Sequence, residues 1–521
     1  MADRLIDINQ ATNQSNVLGF AQSEQRLKEF IAELNQKGGE IRIYIPNASN
    51  FGHQSTSVHI MYRLAAMGVK KIRIVYDPGD DNWDKLYILI LGLPYEEVDE
   101  YPLNAQTTLY FSTEGSPLSE TMPLGITGGW DGNEQMFKKL GLQVDDFCRL
   151  QPFLWGTVGG DVVSPQELFL GKVAQGTWEG YTVSFPKTYR MLQRGYYFDQ
   201  PTLTAKDREE FTERNPTQAE LITTIETLVL THQALLVPVY FSPGRAVATF
   251  HDLFFNLFLG IRSFQERVKA GPVIVLVMSE PQPRGYEALE ATRSGAAVYN
   301  PSREEKGKLL IFERNDQRYQ YLESRGYLNF LQQDVKLFKD KEDVSGIQLS
   351  EAVKTHSLVQ VSALLLPRVV FDYMYGLSNL TMIFEGAGTG NLVMNLGKPF
   401  IRIRGADDKG KHIEGKHTED KYTNMYRTNL NPTTNTPFAK YGERLAVTME
   451  TNADKWEDLM NSFSEKLPDE FIGDFLIDAN RPYPSLYYAF RQQREFYHSI
   501  YEDKLSQALH YWLSIRPQER Q

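Results

Sequence analysis

The chain has a single cysteine among its 521 residues, Cys148. One thiol cannot close an intramolecular disulfide, and no Cys-x-x-Cys pair exists to hold zinc, so a reducing compartment is expected. Cys148 sits in DDFCRL, where acidic neighbours disfavour the thiolate, and it reads as a packed residue rather than a nucleophile. Long hydrophobic runs are also missing. Leu86 to Leu93 and Leu253 to Ile261 fall well short of the roughly 18 apolar residues a membrane span needs, and read as buried helix. The first residues, MADRLIDINQATNQSN, lack the apolar core of a signal peptide. There is no basic excess either: 55 Lys and Arg against 66 Asp and Glu give a net charge of −11. Such a balance disfavours nonspecific nucleic-acid binding and anionic membranes, both of which rest on neutralising phosphate, although one basic pocket stays compatible with it. The nine histidines form no His-Glu-x-x-His, no Gly-x-Ser-x-Gly elbow occurs, and the first strand is not followed by Gly-x-Gly-x-x-Gly. Zinc protease, serine hydrolase and NAD-type readings therefore lose their usual signatures. The expectation is a cytoplasmic chain with no membrane span, no nucleic-acid partner and no bound metal.

What is present is an alternation of strand and helix patterns. Leu27, Phe30, Ile31 and Leu34 share one helical face, and Gly38-Gly39 ends that helix. IRIYIP (41–46) is β-rich, NASNFGHQ reads as a loop, and the next helix turns Val58, Met61, Leu64 and Ala65 inward. KKIRIVYD (70–77) is a second strand, and strand–helix–strand with short connections implies a parallel sheet. Strands are expected again over 107–113 and 123–129. Residues 150–220 change character, rich in glycine, aromatics and charge, and read as excursions leading to a domain boundary. Trp178, Tyr181, Tyr189, Tyr196 and Tyr197 in that region suit either a core or a stacking surface. A second alternation follows, with strands at 234–242, 271–279, 308–313, 377–385 and 398–403 and a helix at 251–270. From 440 onward the pattern is helical, with Trp456, Leu459, Met460 and Phe463 on one face. At this length two or three domains are expected. The boundaries drawn are 1–215 for a first Rossmann-like domain, 216–430 for a second, and 431–521 for a helical segment packing back across both.

The sharpest local signal is FEGAGTGNLVMNLGKPF (384–400), in which a hydrophobic strand enters Glu385, Gly386, Gly388, Thr389, Gly390 and Asn391 before a helix. Glycines at such a junction let backbone approach a ligand, and a helix start offers free N–H groups and a positive dipole end to phosphate. A tight turn that merely needs small residues is the plain alternative. This segment, ending in Gly-Lys-Pro-Phe-Ile, resembles the donor site of glycosyltransferases of the GT-B type. The resemblance implies an α/β fold of two Rossmann-like domains, their parallel sheets facing across a cleft, closed by C-terminal helices. It also implies that the Gly386–Asn391 turn holds the diphosphate of a nucleotide sugar, with Glu385 near its hydroxyls. Val393 stands where many retaining members carry a second Glu, which puts the retaining mechanism in doubt.

The first half offers Gly52-His53 after its first strand, similar to the first loop of several inverting GT-B enzymes. There, His53 is the implied general base on the acceptor hydroxyl, a task that suits an imidazole; capping the next helix is its plain alternative. Arg245 in SPGR (242–245) is placed to neutralise a leaving diphosphate without a metal, or simply to bridge a seam. Lys398 is a weaker candidate. Asp131 in TGGWDGN (127–133) is a candidate to orient the acceptor or assist a base, and DDNWD (80–84) reads as an acidic loop capping the following helix. The function expected is inverting, metal-independent sugar transfer from a nucleoside-diphosphate sugar, a co-substrate rather than a cofactor, to an acceptor that is a glycan, small molecule or protein. A sugar-nucleotide epimerase of the same fold, or a binding or effector protein that keeps the fold without turnover, are the alternatives.

Overall fold

The computed structural model describes residues 21–47, 51–128 apart from 80 and 120, 136–150 apart from 143–145, 175–192 apart from 179–180 and 185–189, 201–241, 247–294 apart from 280–282, 297–299, 311–313, 320–402 apart from 321, 340–343, 364 and 385–386, 468–481, and residues 487, 490, 491, 505 and 509. Two large sheets organise it. The first half runs α1 (Ala21–Gln36), β1 (Ile41–Ile45), α2 (Gly52–Ala66), β2 (Lys71–Tyr76), α3 (Asn82–Leu89), β3 (Glu100–Pro102), β4 (Thr108–Thr113), β5 (Leu124–Thr127), β6 (Phe147–Leu150), β7 (Gln175–Trp178), β8 (Tyr181–Ser184) and β9 (Arg190–Leu192). Its sheet has the order β3-β4-β2-β1-β5-β6-β9, parallel except where β3 pairs antiparallel with β4. The strands β4-β2-β1-β5-β6 thus stand in the 3-2-1-4-5 order of a doubly wound fold. Each strand needs a crossover, and the apolar faces of α1 and α2 supply the cover: Leu27, Phe30, Ile31, Leu34, Val58, Met61 and Leu64 are all buried against Ile41, Ile43, Ile72 and Ile74.

Two helices, α4 (Ala205–Arg214) and α5 (Pro216–Leu230), lead into the second half. Thr204 and Asp207 form a reciprocal capping box at the start of α4, and Pro216 opens α5 at a position where no N–H is missed. The second half continues with β10 (Leu235–Tyr240), α6 (Val247–Val268), β11 (Val273–Val277), α7 (Pro283–Arg293), β12 (Ala297–Tyr299), β13 (Ile311–Glu313), β14 (Val335–Phe338), α8 (Gly346–Thr355), β15 (Leu358–Ser362), α9 (Arg368–Leu377), β16 (Met382–Phe384), α10 (Ala387–Leu396) and β17 (Phe400–Arg402). All six strands of its sheet are parallel, in the order β14-β15-β11-β10-β16-β17. Covered on both faces, β11 (VIVLV) is a continuous apolar run rather than an alternating one.

A further helix, α11 (Pro468–Asn480), lies against α6 at close range. A Cβ on Gly260 would stand 2.3 Å from Ile472, and one on Gly473 would stand 2.6 Å from Ser263, so glycine on each side sets the approach. Further on, Phe490 joins the core of the second half, whereas Leu505 and Leu509 are buried in that of the first. The chain therefore returns to the first half near its end.

Several expectations are revised by the structure. The helix after β1 begins at Gly52, so Gly52 and His53 occupy its first turn, not a loop. Likewise α10 begins at Ala387, which puts Gly388 to Asn391 inside a helix rather than a turn. Of the strand expected over 308–313, the described part is β13, which among the described residues pairs antiparallel with β12 in a two-stranded sheet apart from the large one. Of the DDNWD segment, Asp81 is the N-cap residue of α3, as expected, and Asn82, Trp83 and Asp84 form the helix's first turn, with Asn82 and Trp83 buried; Asp80 lies outside the described residues. Within 150–220 the sequence also supplies β9, an integral strand of the first sheet. Trp456, Leu459, Met460 and Phe463 lie outside the described residues.

Candidate functional site

In a doubly wound sheet the ligand crevice opens at the carboxyl ends of the two strands where the order reverses. Here those strands are β1 and β5 in the first half and β10 and β16 in the second. Every residue nominated from sequence follows one of these four strands along the chain: Gly52 and His53 after β1, Asp131 after β5, Arg245 after β10, and Glu385 to Asn391 after β16. Asp131, Arg245, Glu385 and Gly386 lie outside the described residues. So does the His53 side chain, whose backbone is placed in the first turn of α2.

The two halves meet at these ends. Helix α2 touches both α9 and α10. A Cβ built on Gly388 would lie 3.5 Å from the Thr56 hydroxyl, so the segment after β16 rests directly on the first turns of α2. Thr389, Gly390 and Asn391 are buried, and Gly388 is the most open of the four. Gly390 is held close to Phe384, from which a Cβ would be 3.2 Å away. Thr56 returns its hydroxyl to the Gly52 carbonyl at 2.8 Å, and Gln54 donates to the Pro46 carbonyl at 3.0 Å. Ser57 is fully buried and accepts the Gly128 amide at 3.2 Å, tying the end of β5 to α2. The loop after β2 closes in as well: a Cβ on Gly79 would overlap the Asn47 side chain at 1.7 Å, so any larger residue there must displace Asn47.

A polar cluster that sequence reasoning missed crosses the seam. Arg368, the first residue of α9, donates through Nε to Asp372 at 2.7 Å and through Nη1 to the Ser55 hydroxyl of α2 at 2.5 Å. Arg368 and Asp372 are both nearly buried. Burial raises the Asp372 carboxyl above its ordinary range against the pull of Arg368, and its Oδ1 has no hydrogen-bond partner among the described residues. His59, one turn beyond Ser55, is buried too. Burial, with Arg368 and Arg63 adding to it, holds its imidazole well below its ordinary value, so His59 is neutral. The available signal was an Arg and an Asp four residues apart in RVVFDYMYGL, charged residues on an otherwise apolar helix.

Three helices thus begin at the seam, α2, α9 and α10, each offering the positive end of its dipole, with the Arg368 cation among them. That is an arrangement suited to an anion in a chain that is acidic overall. Lys398 has a different part. Its ammonium donates to the carbonyls of Gly376 and Ser378 at 2.5 and 2.9 Å, closing the end of α9. Val393 is fully buried in the second core. Among the described residues no group of three or more His, Cys, Asp or Glu could hold a metal ion, and no helix is long and apolar enough to cross a membrane.

No family model matches the chain, and no curated protein does. Among solved structures it is similar to one from E. coli described as trehalose-6-phosphate bound with UDP-2-fluoro glucose, at 7% identity over 91% of this chain and 98% of that one, with a TM-score of 0.32. It is similar to an alpha,alpha-trehalose 6-phosphate synthase from Burkholderia multivorans, at 9% identity over 91% and 98% of the two chains, with a TM-score of 0.35. The UDP-forming alpha,alpha-trehalose-phosphate synthase of Burkholderia vietnamiensis shares 9% identity over 91% of this chain and 100% of its own, with a TM-score of 0.31.

Proposed function

We propose that the chain is a glycosyltransferase that moves a sugar from a nucleoside diphosphate to an acceptor held by the first half. The observation that carries this reading is the seam itself: the glycine-rich start of α10 rests on the first turns of α2, where Gly388 faces Thr56. In this reading the diphosphate lies at the start of α10, taking the helix N–H groups, with Glu385 toward the sugar and Arg245 neutralising the leaving group. His53, at the start of α2, accepts the proton of the acceptor hydroxyl, and Asp131 orients that acceptor or assists. Charge neutralisation by helix ends and arginine makes the transfer metal-independent. Inversion is favoured because Val393, buried in the core, stands where a retaining pair would need its second carboxylate.

The test is a thermal-shift screen of the full chain against UDP, GDP, dTDP, ADP and CMP and their common sugars. One nucleoside diphosphate is expected to stabilise the protein, by about 2.7 kcal/mol at a hundredfold excess over its Kd. Gly388→Val should remove that response, because its methyl groups fill the space beside Thr56. His53→Ala should cut turnover by about 10²-fold with donor affinity kept. Silence of the wild type toward every nucleotide at millimolar concentration would overturn the donor site and leave the effector reading.

A further inference from the structure

Between the two halves lies a space that the proposed donor site does not use. It measures about 200 Å³ and is walled by Tyr87 and Ile88 of α3, Arg214 at the end of α4, Gln218 in the first turn of α5, and Leu365 and Pro367 ahead of α9. Asn215, which makes no capping hydrogen bond with its side chain, also faces it.

Arg214 is the unusual group here. The Tyr87 ring covers one face of its guanidinium at 3.4 Å. Two of its N–H groups donate to backbone, to the Ile90 carbonyl at 3.3 Å and to that of Tyr87. A guanidinium has five N–H donors, so three remain. Among the described residues no carboxylate pairs with it; the groups that act on its charge are burial, Tyr87, Tyr62 and Tyr101, and burial weakens its hold on the proton. A half-buried cation without a counterion carries a desolvation cost that an anion would relieve. Across from it the wall is apolar and strained. Leu365 is 42% exposed and has a φ of 41°, in the left-handed region that residues with a side chain rarely adopt.

We propose that this pocket binds a small organic carboxylate, its carboxyl group on the Arg214 fork and its apolar body against Ile88, Leu365 and Pro367. The remaining donors match the two oxygens of a carboxylate in a planar, paired geometry. A phosphate dianion presents more acceptor oxygens than one planar fork pairs, and the apolar wall of Ile88, Leu365 and Pro367 leaves only the Asn215 and Gln218 amides to add side-chain donors. Because the walls come from both halves, a bound carboxylate ties α3 to the segment that leads into Arg368. The site stands independently of the donor reading.

The experiment is isothermal titration of the full chain with benzoate, with benzamide as the uncharged analogue of the same shape, and with inorganic phosphate. Benzoate is expected to bind saturably, with a Kd on the order of 1 mM or tighter, and benzamide and phosphate about tenfold or more weakly. Arg214→Gln should weaken benzoate by about tenfold or more, the loss expected for a charge-assisted pair. Leu365→Trp, at an exposed position, should fill the pocket and abolish binding while the thermal midpoint and circular dichroism stay as in the wild type. No saturable benzoate binding, equal binding of benzamide, or binding untouched by both substitutions would each overturn the proposal. Phosphate binding as tightly as benzoate would overturn the carboxylate assignment. A failed nucleotide screen leaves this result standing, and a failed benzoate titration leaves the nucleotide result standing.

Discussion

Two buried arginine–carboxylate clusters among the described residues, one at the amino ends of the first sheet's strands and one beyond the carboxyl ends of the second's, are finished differently. At the amino edge of the first sheet, Glu40 accepts Arg42 Nε at 2.7 Å and Arg73 Nε at 2.9 and 3.0 Å. Arg42 also donates to the carbonyls of Leu140 and Ser119, and Arg73 to the Ser112 hydroxyl. Both oxygens of Glu40 are used. At the carboxyl edge of the second sheet, Arg368 meets Asp372 and reaches the other half at Ser55, and Asp372 Oδ1 has no partner among the described residues. The same chemistry is closed where it only has to hold strands together and left incomplete where the halves meet. A partly satisfied buried network costs stability, and such costs are tolerated at functional sites.

Breaking the finished cluster should have the largest effect. Arg42→Ala strands two backbone carbonyls and removes one cation from Glu40, and should lower stability by about 3–5 kcal/mol. Urea denaturation should show this as a lower midpoint at unchanged slope. The incomplete cluster should be cheaper to remove. Arg368→Met alone should cost roughly 2–4 kcal/mol at pH 7, whereas Arg368→Met with Asp372→Leu should lie near the wild type, because no buried charge is left. If the double variant is as unstable as the single one, Arg368 acts through Ser55 instead, and Ser55→Ala should reproduce the loss.

The pH dependence sharpens the contrast further. His59 is held below its ordinary value of 6.5, so below that pH the unfolded chain takes up a proton that the folded one refuses. Stability should therefore fall as pH drops through 6.5 toward the depressed value. Asp372 is shifted the other way, and its contribution is recovered as pH falls through its raised value. His59→Gln should flatten that loss below about pH 6.5 in thermal melts, whereas Asp372→Asn should remove the recovery and leave the His59 loss in place. The smallest effect belongs to Gly388→Ala. The added methyl meets Thr56 at an ordinary contact distance, and alanine in a helix is favoured by about 0.5–1 kcal/mol. A more stable protein with weaker nucleotide binding would separate the fold's demand on that glycine from the ligand's.

Much of the architecture is readable from periodicity alone. The helix that Gly38-Gly39 ends, the strands over 41–46, 70–77, 234–242 and 271–279 and the helix over 251–270 are found within a few residues of their sequence limits. Their apolar spacing is dictated by burial of one face or of both, which is a local property. Glycine after a strand suggests a turn by pattern alone, whereas in this fold it opens helices. Gly52, Gly388 and Gly390 lie in first turns; at Gly390 a Cβ would stand a tight 3.2 Å from Phe384, whereas at Gly388 it would meet Thr56 at an ordinary 3.5 Å. Apolar content also does not reveal that Ile311–Glu313 pairs with β12 rather than with a strand of the large sheet among the described residues. Arg368, Asp372, Ser55 and His59 gave no signal as a group, since 313 residues separate Arg368 from the hydroxyl it meets.

The sequence by itself determined the class: alternating apolar strands and amphipathic helices in two runs, on an acidic chain with one thiol and no long hydrophobic span. It also marked which junctions after strands carry glycine and ionisable residues. Only the tertiary structure decided that those junctions follow the four strands at which the two sheets reverse order, and that α2, α9 and α10 begin at one seam. The physical reason is that periodicity reports whether a residue faces an interior, whereas strand order and the meeting of two halves depend on contacts between residues far apart in the chain. Those contacts are set by how whole surfaces fit, and no local window contains them.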